Sequence, residues 1–581
     1  MSKLNVDQKT IMLLFSDKKS DFLIPDYQRP YAWGEEQCQA LWEDVFAFAF
    51  PDNNYQNFNQ DDEYFLGSIV TFKNDNDKLE VIDGQQRLTS LMLLLRAFYV
   101  KFENMQDSNS KRTREMISKC LWRTNEFGEA DPEVLKINSE VATDDKKEEF
   151  LKILKTGETN KEQKSNYANN FRFFQEKIDE FLSKYPSYFP YFPARNLGNC
   201  ILLPIEAESR DTALRIFSTL NDRGLPLSDA DIFKAQFYKF YGDKGEKESF
   251  ISQWKKLEKM CEEIFHPITG TSMDELFTRY MYYMRAKQGN KSSTTEALRK
   301  FYEREKYSLL KQVETFKNLQ ILAKFWYDVY NRNDERFAGE VLRKLFILSY
   351  APNGMWTYFV SVYFMHNKNA DEKLDDIEFE KFLSKIIAFI WTYTVTNPGV
   401  NALRTPIFAE MVNIVNNKPV NFADFKFDLD GIKIAFDNYV FNNGRPITKS
   451  MLTWWAFTDI AQILPPVETI FEIEHIVSKN RQKNDKTLDN IKNLESLGNK
   501  SLLEERINIR ASDYRFADKV KYYQGYTNTK GQKIDGTQIN ELITLSKNYT
   551  DFAEKDIEKR NNQMLERFIS FLDENNLIKT I

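Results

Sequence analysis

The four cysteines in 581 residues, Cys38, Cys120, Cys200 and Cys261, stand far apart and form no CxxC pair. That argues against a zinc site of the usual spacing and against a disulfide framework, so a reducing cytoplasm is expected. Histidine is scarcer still, with three in the whole chain. His266 precedes Pro267 and His366 follows the aromatic run SVYFM; neither has a ligand-spaced neighbour, and both are expected to be structural. No window approaches the roughly 18 consecutive apolar residues of a membrane span, and the opening MSKLNVDQKT lacks the apolar core of a secretory signal. Positive charge is not in excess either. The net charge is −6, so any contact with a polyanion must rest on a local patch.

Hydrophobic residues make up 42% of the chain, enough for real cores, and the length allows about three or four domains. Aromatics reach 14%, so large rings are expected to drive much of the burial. The stretch around which the chain is organised is Lys78 to Val100, KLEVIDGQQRLTSLMLLLRAFYV, which reads as a strand, a tight polar turn and a long apolar helix. Gly84 permits the bend, and Asp83 to Arg87 then lie at a helix N-terminus. Unpaired N–H groups and the helix dipole favour an anion there, and Arg87 adds a two-pronged donor for phosphate oxygens. Asp83 with Gln85 and Gln86 could position a metal ion, a water or a base edge; an ordinary strand-to-helix turn fits the pentapeptide equally well.

Upstream, FLIPDYQRPYAW is a loop stiffened by Pro25 and Pro30, and a helix is expected to open at Gly34. EYFLGSIVTF, Glu63 to Phe72, reads as a strand forming a hairpin with the strand of the central motif. The charged stretch from Asn104 to Lys164 reads as helices with long connections. A helix is expected over Tyr167 to Lys184 and a buried strand over Cys200 to Ile205. In Asp211 to Tyr241, two helices flank a turn, and Ser228 with Asp231 makes something close to a capping box. The alternative is that Asn221, Arg223, Asp231 and Lys234 converge on a nucleotide. Helical periodicity dominates Gly242 to Asn443, as in Ile251 to Phe265 and Leu309 to Tyr330.

The third histidine has neighbours of another kind. TIFEIEHIV, Thr469 to Val477, alternates as a strand and delivers Glu474 and His475 to a charged loop, SKNRQKNDK. One histidine, an adjacent carboxylate and the downstream Asn499 and Asn508 are the parts of a one-metal phosphodiesterase: an imidazole to deprotonate water, oxygen ligands for Mg²⁺, an amide to orient the ring. Between Ile476 and Lys530, twelve basic and seven acidic residues leave a net +5, a footprint suited to phosphate backbones. Solvated helix faces would give the same count. Helical spacing continues from Asn540 to Ile581, where helices are expected to cover this region.

Three separated motifs, IPDYQRPYAW, FLGSIV with VIDGQQRLTSL, and FSTLNDRGLPLSDADIFKAQ, closely resemble the N-terminal domain of GmrSD-type, modification-dependent (type IV) restriction proteins. EHI, GNKSLL, Asn508 and FADKVKYY resemble the His-Me finger (HNH) nuclease domain that accompanies it in the same order. The resemblance implies an α+β, multi-domain chain. A ParB/sulfiredoxin-like nucleoside triphosphatase domain is expected over 1–241, a helical middle region over 242–443, and a ββα-metal nuclease domain with C-terminal helices over 444–581. By carry-over, Gln28, Arg29, Asp83, Gly84, Gln85, Gln86 and Arg87 bind the nucleotide, with Asn221, Arg223, Asp231 and Lys234 as further members. His475 is then the general base, Asn499 fixes its ring, and Glu474 with Asn508 holds Mg²⁺ or Mn²⁺. Glu474 stands where many such enzymes have Asp, and Ser478 where a proline often follows. The implied activity is nucleotide-dependent cleavage of foreign DNA with modified bases or backbone, in a cytoplasmic protein, with homodimerisation left open. Two other readings stand beside it: a nucleotide-switched DNA-binding protein with an inactive nuclease, and a nuclease toxin acting on host DNA or RNA.

Overall fold

The computed structural model describes residues 5–6, 8–209, 212–213, 216, 228–294, 296–397 and 400–579. The chain is mixed α and β with helix predominant, and it divides into two compact units, Met1–Lys255 and Lys256–Ile581. No helix among the described residues is long and apolar enough to cross a membrane.

The strands of the first unit are β1 (Asn5–Val6), β2 (Lys9–Thr10), β3 (Phe22–Ile24), β4 (Tyr64–Lys73), β5 (Leu79–Asp83), β6 (Trp122–Thr124), β7 (Ala130–Leu135), β8 (Ile137–Ser139) and β9 (Cys200–Ala207). Among the described residues, seven of them form one mixed sheet in the order β1-β9-β4-β5-β3-β8, with β2 also paired to β9; β6 and β7 form a separate hairpin. The expected hairpin is present: β4 and β5 pair antiparallel, with Thr71 opposite Val81 and Lys73 opposite Leu79. β4 bulges between Phe65 and Gly67 where it runs parallel to β9. The stretch expected to hold only helices and connections departs from that reading. It contributes the β6–β7 hairpin, and β8 extends the main sheet by pairing in parallel with β3.

Among the described residues, seven α-helices of this unit precede β9: α1 (Ile11–Ser16), α2 (Glu35–Ala49), α3 (Gln85–Phe102), α4 (Ser108–Leu121), α5 (Lys147–Thr156), α6 (Asn166–Lys184) and α7 (Tyr191–Asn199). From Leu88 to Phe98 every residue of α3 is buried, as a helix apolar on all sides must be. Two of its polar members find partners inside: Ser90 Oγ lies 2.6 Å from Tyr31 Oη, and Arg96 Nε donates to Leu154 O at 3.0 Å. Rings fill the space between α2, α3 and α7, with Trp42 5.0 Å and Phe98 5.4 Å from Phe192. Each such ring, fully buried, stabilises by about 1.5–3 kcal/mol.

The second unit carries no strand among its described residues until β10 (Phe471–His475). The two stretches with clear periodicity fall in helices Lys247–Ile264 and Val313–Tyr330. β10 pairs antiparallel with β11 (Lys500–Glu504), placing Glu474 opposite Ser501 and His475 opposite Lys500. The helix Glu505–Ala511 follows β11 directly. Between the strands, SKNRQKNDK is not the expected loop. Ser478 Oγ accepts from Arg481 N at 3.2 Å and starts a short helix, Lys479–Asp485. The tail folds as helices Asn540–Asn548 and Glu554–Glu574.

Candidate functional site

The sequence points to two polar clusters, one in each unit, and each is built from a strand end. In the first unit, β5 ends at Asp83 and α3 begins at Gln85, with Gly84 between them at φ 90°, ψ 4°. This is left-handed backbone that glycine adopts without penalty, and a Cβ there would meet Ser68 O at 3.2 Å. Asp83 Oδ1 accepts from Gly84 N at 2.8 Å. Burial pushes the Asp83 carboxyl up from its ordinary range, against the opposing pull of the Gly84 N–H, Arg87 and Arg29.

Most of the glutamine amides here hold the fold together. Gln28 Nε2 donates to Val81 O and Ile82 O, both at 3.1 Å. Gln86 Nε2 donates to Pro30 O at 3.2 Å, while its Oε1 accepts from Ala32 N at 2.7 Å and Trp33 N at 3.2 Å. Gln85 Nε2 donates to Arg29 O at 3.2 Å. IPDYQRPYAW and DGQQR are therefore one knot, and Gln28 and Gln86 tie it. Gln85 Oε1 is buried and accepts no hydrogen bond.

Arg87 explains the glycine of FLGSIV. Its guanidinium donates from Nη1 to Ser68 O at 2.9 Å and lies against Gly67, where a Cβ would come within 2.7 Å of it. Gly67 has φ 125° at the bulge of β4, so both the backbone and the guanidinium demand glycine there. Burial lowers the Arg87 pKa, and Asp83 opposes the shift. Asp231 and Lys234 have other partners. Asp231 Oδ2 accepts from Ser228 N at 3.0 Å and Ser228 Oγ accepts from Asp231 N at 3.1 Å, the capping box read from the sequence. Lys234 is buried and donates to Thr143 Oγ1 at 3.1 Å. Asn221 and Arg223 lie outside the described residues.

In the second unit, His475 ends β10 and opens onto a cleft of about 400 Å³ that is also lined by Glu474, Ser478, Asn480, Asn508 and Asp513. His475 Nε2 is buried and has no hydrogen-bond partner; its nearest acceptor, Glu495 Oε2, is 3.8 Å away, beyond bonding reach. Burial and the Lys500 ammonium push the imidazole pKa down, with Glu495 opposing, so the ring is neutral at neutral pH. Lys500 is itself buried and fixed, donating to Asn443 Oδ1 at 2.8 Å and Glu495 Oε2 at 2.6 Å. Asn508 stands on the helix Glu505–Ala511, half-buried on the cleft, and its amide makes no hydrogen bond among the described residues.

One carried-over role needs correction. Asn499 does not reach the imidazole. Its amide is taken up by backbone, with Oδ1 accepting from Val477 N at 2.8 Å and Nδ2 donating to Val477 O and Leu494 O at 3.0 Å each. It orients the chain just after His475, not the ring. Glu474 is one half of a buried ion pair: Oε1 accepts from Lys519 Nζ at 2.7 Å and Tyr523 Oη at 2.5 Å. Glu474 Oε1 is therefore anchored by Lys519 and Tyr523, while the residue also lines the cleft. Lys519 also donates to His475 O at 2.6 Å and so fixes the backbone that carries the imidazole.

Sequence reasoning missed Lys519, Tyr523, Glu495 and Lys500. Lys519 and Tyr523 left a signal, since residues four apart share one face of a helix; Glu495 and Lys500 left none. The expected cover by the tail is present. Arg560 Nη1 donates to Leu497 O, Gly498 O and Lys500 O at 2.9, 2.9 and 2.7 Å, and a Cβ on Gly498 would overlap the Ile557 carbonyl oxygen.

Among the described residues no three His, Cys, Asp or Glu side chains are grouped to hold a metal. The oxygen donors lining the cleft, the Asn508 amide and the Asp513 and Glu474 carboxylates among them, suit a hard ion that keeps several waters and takes phosphate oxygens, as Mg²⁺ does.

Residues 11–238 match the family model for the GmrSD restriction endonuclease N-terminal domain, and residues 432–567 match that for the GmrSD restriction endonuclease C-terminal domain. An uncharacterized protein of Methanocaldococcus jannaschii is 23% identical over 265 residues, 41% of this chain and 43% of that protein. The match thus spans less than half the length of that relative.

Proposed function

The chain belongs to the GmrSD restriction endonuclease family, and from that premise we propose that it is a nucleotide-dependent DNA endonuclease restricting foreign DNA with modified bases or backbone. The observation that carries the nuclease reading is the buried, partnerless Nε2 of His475 on a cleft it shares with the unbonded Asn508 amide. A neutral imidazole with a vacant lone pair is what removing a proton from water requires. Lys519 and Asn499 hold the backbone at His475 and just after it, so the base is positioned before substrate arrives. Asn508, with Asp513 beside it, would hold Mg²⁺ or Mn²⁺. When bound, the ion neutralises charge developing on the phosphate oxygens. The β10–β11 pair and the helix after it would be the His-Me finger of the family.

The first unit, on this reading, is the ParB/sulfiredoxin-like triphosphatase of a cytoplasmic protein. The start of α3, Arg29, Arg87 and the unpaired Gln85 Oε1 support a phosphate-bearing ligand there.

The test is a nicking assay with Mg²⁺ on modified phage DNA, unmodified DNA and RNA, with and without nucleoside triphosphate. Cleavage of modified DNA that depends on triphosphate is expected. DNA binding with no cleavage would point to a switched binding protein, and equal attack on unmodified DNA or RNA would point to a toxin.

A further inference from the structure

Beside the His475 cleft stands a set of tyrosines that the hydrolytic chemistry does not use. The helix Glu505–Ala511, which carries Asn508, stops at Ser512 with φ 43° and ψ −137°, a conformation rare and strained for a residue with a side chain. The next residue fastens the turn to the segment that follows His475. Asp513 O accepts from Ser478 Oγ at 3.3 Å and Arg481 Nε at 3.0 Å, and its carboxylate accepts from Asn480. Tyr514 follows immediately and is 42% exposed. Its ring lies nearly parallel to that of Tyr522, 5.9 Å between centroids and 13° between planes, and Tyr526 meets Tyr522 edge-on at 5.4 Å. Lys521 Nζ sits 4.8 Å from the centre of the Tyr522 ring. Arg506 and Arg510 are exposed on the helix Glu505–Ala511, and Arg515 and Lys521 at the start and in the body of the next, Phe516–Gln524.

Two parallel rings, Tyr514 exposed and Tyr522 half-buried, thus stand edged by cations, the first of them on a turn fastened to the cleft. Resting on the nuclease reading above, we propose that Tyr514 and Tyr522 form a stacking platform for an unpaired base of the DNA strand whose phosphodiester lies at His475. Rings accept any base face, while the arginines and lysine meet the flanking phosphates. In an intact duplex those faces are covered by neighbouring pairs, so the occupant is a base already out of the stack.

Binding is measured in the His475→Ala protein, where cutting does not interfere, with a labelled single-stranded oligonucleotide and a fully paired duplex of the same sequence. Tyr514→Leu and Tyr522→Leu should each weaken single-strand binding about tenfold to a hundredfold, the range expected for losing one stacked base. Tyr514→Phe should bind as the parent does, and duplex affinity should change little in all variants. Equal losses for Leu and Phe, equal losses on single strand and duplex, or no single-strand binding by the parent would each overturn the proposal. Melting curves show whether a Leu variant is folded; if it is not, the Phe-versus-parent comparison at both tyrosines decides, since a platform tolerates Phe at each. Failure of the nuclease reading is visible separately, as wild-type protein that binds single strands through Tyr514 yet cuts no DNA.

Discussion

The turn at Asp83–Arg87 and the cleft at His475 use similar residue types to opposite ends. In the turn, Gln28 Nε2 and both ends of the Gln86 amide are engaged by backbone groups, so the polar residues mainly weld one loop to another. In the cleft, buried partners such as Asn499, Lys500 and Lys519 hold the frame, and two groups that could do chemistry, His475 Nε2 and the Asn508 amide, are left without a hydrogen bond among the described residues. Amides of the same kind thus serve as structure or as site according to whether folding has already satisfied them. The comparison can be broken by substitution, starting with the change expected to do most.

His475→Ala should abolish cleavage, a loss of about 10²–10⁴-fold or more if the imidazole is the general base. Folding and nucleotide binding should remain near wild type, as read by melting curves and triphosphate titration. A variant that still cuts at the wild-type rate would remove His475 from the site.

Lys519→Met tests how firmly the buried ion pair fixes the frame of the cleft. It leaves the Glu474 carboxylate buried opposite no charge, which costs about 3–5 kcal/mol. Lys519→Met with Glu474→Gln should recover much of that stability in denaturant titration. If the single variant melts with the wild type, the pair is not a structural anchor.

Gln86→Ala makes the matching test of the turn. It strips partners from Ala32 N, Trp33 N and Pro30 O, and one buried unsatisfied group costs about 1–3 kcal/mol. Lower stability is expected, with triphosphate affinity changed little at temperatures where the protein is folded. Tenfold weaker nucleotide binding with unchanged stability would reverse the assignment and make Gln86 a ligand residue.

What could be read from sequence was what local physics writes there. The β5 strand, Gly84, α3 and the Ser228–Asp231 box depend on residues within a few positions of one another, and all are present. β8 could not be read. Its three residues become a strand only by pairing with β3, more than a hundred positions earlier, and nothing in their own pattern announces that. The role of Asn499 failed for a related reason, and the Glu474–Lys519 pair could not be foreseen either. A motif gives residue types and order, but which oxygen faces the cleft and which meets Lys519 is decided by a helix that begins at Phe516. Gly67 sits between these cases: its place in FLGSIV was visible, its reason was the Arg87 guanidinium lying on it.

The smallest expected effect is also the one that ties the two halves of the comparison together. Arg87 is the residue of the turn best placed to meet an anion, since it stands in the first turn of α3, where the helix dipole and open N–H groups favour negative charge. Charge-assisted bonds to phosphate contribute about 1.5–3 kcal/mol each, so Arg87→Ala should weaken triphosphate affinity roughly tenfold or more. The guanidinium also donates to Ser68 O, so a modest drop in stability is expected as well, smaller than that of Gln86→Ala. If triphosphate controls cleavage, it does so through a difference in affinity between two states of the protein, and a variant that no longer grips the phosphate loses that difference. Cleavage by Arg87→Ala should then be insensitive to added triphosphate at concentrations that change the wild-type rate, in whichever direction the wild type responds. Cleavage that still follows triphosphate with the wild-type midpoint would mean that DGQQR is only a turn, and that whatever senses nucleotide lies elsewhere in the chain.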